Sequence, residues 1–586
     1  MKKTIYALFI LISLFGCSFS TEKVDENNFP SFPSSSTEAT TTYAYSASSS
    51  PNIIEIDSDV SNICISGVPK GKIIWLTKTN PTSKQISESL TRYVTTAKNI
   101  SLSKPISLAR AVTDDLNNEI LTQCRSLCLN AELSPISQSR TVTNDLNTLE
   151  TVEVKDYSIG DSKSLYVDID SNLKLFLQKQ AKLRAKGSTC YVWVVDEKNI
   201  LGEEKYWTDQ ATLPLKDNNE KINSEIAQKI ADNFDKIYPM VRNIFGNESD
   251  KIIAQQNLIY NYEDFDLNSY CDTGTKINIV VYDIGNNNSK DPSNSAIGYF
   301  HTKDYYYKCA NFSNGGKYIY IDSYYAANKT GLVYSTLAHE FQHMIDFSIK
   351  TIGSKGSLIS STWYNEMKSM LCEDVMKNYL KEINSDFTDD ESPFQRLPMF
   401  CRHYYDVGLE YRTGGNNEYY SYANNYAFGA WAARNYGGLS FIKKIATNNY
   451  VDLDSITTAA GDTIENMLKK YSAACVINKE GFGFQKSVTQ TDDTINGYSF
   501  PLDSINLWGL RELLIDSYKT YKTANSSDIS AIFSFEGPVS FTYNSQNALR
   551  PYGFTLTNVG TATDSEVILN LNKTTENSHK TYIIIE

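Results

Sequence analysis

Two of the five histidines in this 586-residue chain stand four apart in the stretch LAHEFQHMID, Leu337 to Asp346, and a glutamate directly follows the first. On a helix, four residues make about 400° of rotation, so His339 and His343 project from nearly one face, a turn apart. Two imidazoles so placed can both reach one Zn2+ at about 2.0–2.1 Å. Glu340 lies on the flank of that face, where it can touch a water at the metal without ligating the metal itself. Leu337, Phe341, Met344 and Ile345 recur at helical spacing and predict a core-facing stripe beside the histidines, with Thr330 or Ser335 as the cap. With so few histidines, the pattern would arise by chance in roughly a few per thousand such sequences. The competing reading is a pair of ordinary core or surface histidines.

A catalytic zinc needs a third protein ligand and one open position. The remaining histidines, His301, His403 and His579, are scattered, so the sequence points to a carboxylate. The helix-like stretch TWYNEMKSMLCED, residues 362 to 374, carries Glu366 and Glu373 seven apart, about two turns and therefore on one face. Glu366 can complete the ligand set while Glu373 accepts a hydrogen bond from the far nitrogen of a ligand histidine, fixing its tautomer and raising its basicity. A solvated acidic helix face is the alternative for the same pair.

HEFQHMID followed by WYNEMKSMLCED resembles the gluzincin metallopeptidases, and within them the hyicolysin-like family, whose pattern is an HEFQH helix followed by Trp-x-Asn-Glu and a further acid. AIGYFHTKDY and KYIYID are similar to that family too, so the likeness runs over roughly residues 155 to 480 and leaves out both flanks. The resemblance implies a zincin-like fold, zinc ligands at His339, His343 and Glu366, a general base at Glu340 and a supporting acid at Glu373. It also implies KYIYID, Lys317 to Asp322, as the sheet edge along which a polypeptide substrate adds a strand. Met367 departs from the family, in which a small residue, commonly glycine, follows the ligand glutamate; the departure bears on the shape of the pocket. For the oxyanion donor, Tyr426 in NNYAFGAW stands sixty residues after Glu366 in a Tyr-x-x-Gly setting similar to that of the catalytic tyrosine in aminopeptidase N relatives. Tyr422 and His403 are the alternatives; His301 and His579 are given no role. No Gly-x-Met-Glu-Asn motif for a free amine precedes the helix, which favours endopeptidase over aminopeptidase action.

Holding these groups takes strands and helices together. LYVDID, CYVWVVDE and KINIVVYD are apolar strand candidates, and SEIAQKIADNFDKIYPMVRNIFG repeats its apolar residues at helical spacing. The zincin metallopeptidase domain is expected over residues 154–485. Residues 51–153, with NICISG and KIIWLT, read as a β-rich N-terminal domain, and residues 486–586, with YGFTLTNVG, EVILNLN and TYIIIE, as a C-terminal β-sandwich. The predicted fold class is an α+β zincin-like domain flanked by small all-β, sandwich-like domains. PISLARAVTDDLN at Pro105 nearly repeats as PISQSRTVTNDLN at Pro135, but two copies are too few for a solenoid. DIGNNNSKDPSN, Asp283 to Asn294, contains oxygens for Ca2+ yet matches no spaced calcium motif and reads as a polar loop.

Residues 1–16 have the layout of an export signal, two lysines and then an apolar run too short to span a bilayer comfortably. The four residues ending in Cys17 resemble a bacterial lipobox, which implies a lipid-modified Cys17; plain secretion is the alternative. Residues 17–50 are rich in Ser and Thr and read as a tether. A net charge of -13 argues against nucleic acid or anionic lipid as the main partner. Apart from Cys17 there are nine cysteines, an odd number that leaves at least one thiol unpaired, and Cys124 with Cys128 lacks the second pair that a zinc ribbon needs. The sequence therefore predicts an exported cell-envelope lipoprotein that is a zinc metalloendopeptidase. Two other readings remain: a surface binding lipoprotein on a zincin scaffold, and a zinc hydrolase of a non-protein amide or ester.

Overall fold

CYVWVV, INIVVY and KYIYID are buried along their whole length, as expected of strands covered on both faces. In the computed structural model, which describes residues 39–48, 51–87, 93–102, 151–168, 176–210, 220–253, 264–286, 296–306, 312–387, 392–410, 416–477, 483–484, 494–509, 537–542, 548–572 and 578–586, they form the middle of a six-stranded sheet. Its order is Gly298–Phe300, Lys317–Asp322, Ile277–Tyr282, Cys190–Val195, Phe176–Lys186, Ser162–Asp168. The three buried strands run parallel, and the outer strands on both sides pair antiparallel. KYIYID is therefore an interior strand, and the edge beside it is the short strand Gly298–Phe300. Residue order along the chain does not reveal this, because the edge strand precedes its neighbour and folds back against it.

The helix Ser224–Phe245 starts at Asn223, whose side chain accepts the Ile226 amide hydrogen, and buries Ala227, Ile230, Phe234, Ile237 and Val241. It packs on strands Phe176–Lys186 and Cys190–Val195 and against a second helix, Thr330–Asp346, where the rings of Phe234 and Tyr238 lie 5.5 and 5.1 Å from Phe341. Thr330–Asp346 carries the two histidines and will be called the histidine helix. Its residues are buried from Val333 through Asp346, on every face rather than one stripe. The expected side-chain cap is absent: the helix begins after Lys329 with no capping hydrogen bond from that residue's side chain, and burial among neighbours holds it instead. On one side the edge strand approaches so closely that a Cβ at Gly298 would stand 2.9 Å from Thr336 and 2.7 Å from the Tyr320 carbonyl oxygen. Beyond the histidine helix lie a glutamate helix, Thr362–Ile383, and a tyrosine helix, Asn416–Asn435. Phe500, Leu502, Ile505 and Leu507 are buried in the same core, so the helical body continues past the expected boundary at residue 485.

The two flanks are one unit. Strands Thr40–Ala44, Asn62–Ser66 and Val94–Lys98 share a sheet with Glu566–Leu571, and Asn52–Ile56, Ile73–Thr79 and Ile100–Ser101 share another with Phe554–Ala562 and Lys580–Ile585. Ile63, Ile65, Val567 and Leu569 of the first sheet meet Ile74, Leu76, Val559 and Ile583 of the second in a shared core. The expected pair of separate β domains is thus replaced by a single sandwich of interleaved N- and C-terminal strands, since neither half alone covers its apolar face. Its second sheet also turns Trp75, Phe554, Leu556 and Ile584 into the body's core, with Phe554 stacked 5.1 Å from Tyr404. At the same junction a Cβ on Gly408 would stand 1.7 Å from the Pro551 carbonyl oxygen. Gly408→Ala is expected to force these loops apart and destabilise the chain by about 1–3 kcal/mol, read as a fall in the thermal midpoint.

Residues 1–16, Cys17, the near-repeat and Cys124 with Cys128 lie outside the described residues, as does most of the 17–50 stretch and of the Asp283 to Asn294 loop. The six described cysteines, Cys64, Cys190, Cys271, Cys372, Cys401 and Cys475, are free thiols. Among the described residues no helix is long and apolar enough to cross a membrane.

Candidate active site

The histidine and glutamate helices pack side by side, and their facing residues meet at one buried point. His339 Nε2 is 3.3 Å from one oxygen of Glu366, and His343 Nε2 is 3.7 Å from the other. The two imidazole centroids are 4.7 Å apart at 75°. Ligand atoms around a tetrahedral zinc, with bonds of about 2.0–2.1 Å, sit about 3.3–3.4 Å from one another. The observed spacings are close to that edge length, and two imidazoles with one carboxylate are a donor set suited to a catalytic zinc. Glu340 is also close, since ligand atoms of His339, Glu340 and His343 lie within 4.8 Å of one another. The two glutamates differ in their contacts. Both Glu366 oxygens face the histidines' Nε2 atoms, whereas Glu340 Oε2 accepts a 2.7 Å hydrogen bond from the Phe300 amide on the edge strand.

The far sides of both rings are occupied by the glutamate helix. His339 Nδ1 is 2.5 Å from Glu373 Oε1, and His343 Nδ1 is 2.9 Å from the Ser369 hydroxyl. Ser369 donates its hydrogen to Gln342, so its oxygen is left to accept from Nδ1–H of His343. Both rings then carry their hydrogen on Nδ1 and turn Nε2 toward Glu366. Glu366, Ser369 and Glu373 come from one face of one helix, at spacings of three and four. Burial works to raise both carboxyls' pKa; it is outweighed at Glu366 by His343 and His339 when those rings also carry a hydrogen and a positive charge at Nε2, and at Glu373 by Arg396 with His339. Both are held ionised. Neither Ser369 nor Arg396 belongs to the sequence motif; Ser369 stands three on from Glu366, on the same helix face, and nothing local announces Arg396.

Tyr426 has a different place from the one the sequence suggested. Its hydroxyl donates to Asp374 Oδ2 at 3.1 Å, inside a buried pair in which Arg434 contributes bonds of 2.9 and 3.2 Å to the same carboxylate. Burial first, and the Asp374 charge next, raise its pKa well above the ordinary tyrosine value. The hydroxyl expected to serve as oxyanion donor is thus engaged in a helix-to-helix hydrogen-bond network. His403 also has other company: its ring stacks on Tyr420 at 3.8 Å and its Nδ1 is 2.9 Å from Asp406. His301 caps a turn, accepting from the Lys303 amide, and burial lowers its pKa to about 3. Tyr422 is buried on the tyrosine helix.

Met367 finds its space opposite a glycine. A Cβ on Gly429 of the tyrosine helix would stand 2.6 Å from Met367 Cγ and 3.2 Å from its sulfur. The bulk next to Glu366 is accommodated by missing bulk on the facing helix. Gly429→Ala is expected to destabilise by about 1–3 kcal/mol, and adding Met367→Ala should recover part of the loss in the same melting experiment.

The family description "Peptidase M30" matches residues 205–526, more than half of the chain. Over 200 residues the chain is 30% identical to the neutral metalloprotease ShpI of Staphylococcus hyicus, a stretch that is 33% of this chain and 35% of that protein. The match thus spans about a third of the relative's length.

Proposed function

The chain belongs to the peptidase M30 family, and from that premise we propose that it is a zinc-dependent endopeptidase of gluzincin type on a zincin-like body, exported and anchored through Cys17. The observation that carries the reading is the convergence of the two Nε2 atoms of His339 and His343 on the Glu366 carboxylate, at 3.3 and 3.7 Å, with Glu340 grouped beside the histidines. Likeness to a neutral metalloprotease supports proteolysis as the reaction.

A bound zinc would polarise the scissile carbonyl and acidify a water molecule. Glu340 accepts a proton from the water as its oxygen attacks the carbonyl carbon, and delivers that proton to the nitrogen as the C–N bond breaks. The Phe300 amide fixes one Glu340 oxygen, so the carboxylate is oriented before substrate arrives. Glu373 and Ser369 hold the two imidazoles in the tautomer that turns Nε2 inward. Gly298–Phe300, at the sheet edge, is the strand against which an extended polypeptide would lie.

Cleavage of a denatured protein, abolished by a chelator and restored by zinc at one ion per chain, is the expected result. Zinc binding without cleavage would favour a binding lipoprotein, and turnover of amides or esters but not polypeptides would favour the non-protein hydrolase. Lipid modification is read separately, as the mass of the N-terminal peptide beginning at Cys17.

A further inference from the structure

The carboxylate behind His339 is itself gripped from the far side. Arg396 Nη1 donates to Glu373 Oε2 at 3.0 Å and Nη2 donates to Oε1 at 3.1 Å, the same oxygen that stands 2.5 Å from His339 Nδ1. Arg396 comes from neither helix of the site. It ends the turn Pro393–Arg396, capped by Ser392, and its guanidinium lies over the Tyr426 ring at 6.0 Å. A fork bound to both oxygens leaves Glu373 one orientation, the one that offers Oε1 to His339.

Charge gives a second, independent reason. Glu340, Glu366, Glu373 and Arg396 are 0, 2, 6 and 4% exposed. Three buried carboxylates exceed a divalent cation by one negative charge, and Arg396 brings the group to neutrality. At His343 the neighbour of Nδ1 is the neutral Ser369 hydroxyl.

We propose that Arg396 is a positioning residue which acts on the metal only through Glu373, making an Arg396–Glu373–His339 chain that slows loss of the ion. The inference rests on the zinc reading above. Its test is the rate at which the zinc-loaded full chain releases metal to excess chelator. Arg396→Met should release zinc about 10–100-fold faster than the parent, with Arg396→Lys, which keeps the charge and loses the fork, in between. In the Glu373→Gln background, Arg396→Met should add nothing. If Arg396→Met does not fold, Arg396→Lys in both backgrounds completes the cycle. Parent-like release from the single variants, or several-fold faster release from the double variant than from Glu373→Gln, overturns the proposal. A parent that retains no zinc overturns the metal reading, whereas a parent that retains it beside unchanged variants overturns Arg396 alone.

Discussion

Glu340→Gln is expected to lower kcat on a denatured-protein substrate by about 10²–10⁴-fold while zinc content stays at that of the parent. Glutamine is nearly the same shape and can still accept the Phe300 amide hydrogen, so the local packing at 0% exposure survives. What it lacks is a basic oxygen to take a proton from water and return it to the leaving amine. Since both histidines and Glu366 are untouched, the ion should remain, and the loss should fall on kcat rather than on KM. Initial rates with metal analysis on the same preparation check both halves. Unchanged turnover would remove Glu340 from the chemistry, and lost zinc would mean that it is a ligand.

The second large effect is on stability. Arg434→Met is expected to destabilise the chain by about 3–5 kcal/mol, because it strands Asp374 as an uncompensated charge between two helices. Both partners are fully buried, Arg434 forms two bonds to the carboxylate, and its Nε also donates to the Asp503 carbonyl oxygen. The same network holds Tyr426, and residues 500–507 close over it as part of the core. Denaturant unfolding should show the loss as a lower midpoint. Asp374→Asn with Arg434→Met, which leaves no lone ion, should be less unstable than Arg434→Met alone.

How far the sequence could be read depends on the range of the contact. The histidine helix and the Glu366, Glu373 pair were legible because spacings of four and seven are properties of one helix, visible without its neighbours. Their meeting was not a local property, yet it was anticipated through the resemblance. Tyr426 is less legible: separation along the chain does not show which group its hydroxyl meets, and here that group is Asp374, directly beside Glu373. In sequence the sandwich reads as two domains, because Asn52 pairs with Ile585 and Thr79 with Phe554, pairings across almost the full chain that leave no mark in either segment. Likewise KYIYID is as apolar as an interior strand should be, and only the antiparallel return of Gly298–Phe300 decides that it is not the edge.

Glu366, twenty-three residues beyond His343, has to close the ligand set for any of this chemistry to run. Zinc-edge anomalous diffraction from crystals of the zinc-loaded protein measures this directly. One peak is expected at about 2.0–2.2 Å from Nε2 of His339, Nε2 of His343 and a Glu366 oxygen, with Glu340 outside bonding distance. A peak ligated by Glu340 in place of Glu366, or none between the two helices, would contradict it.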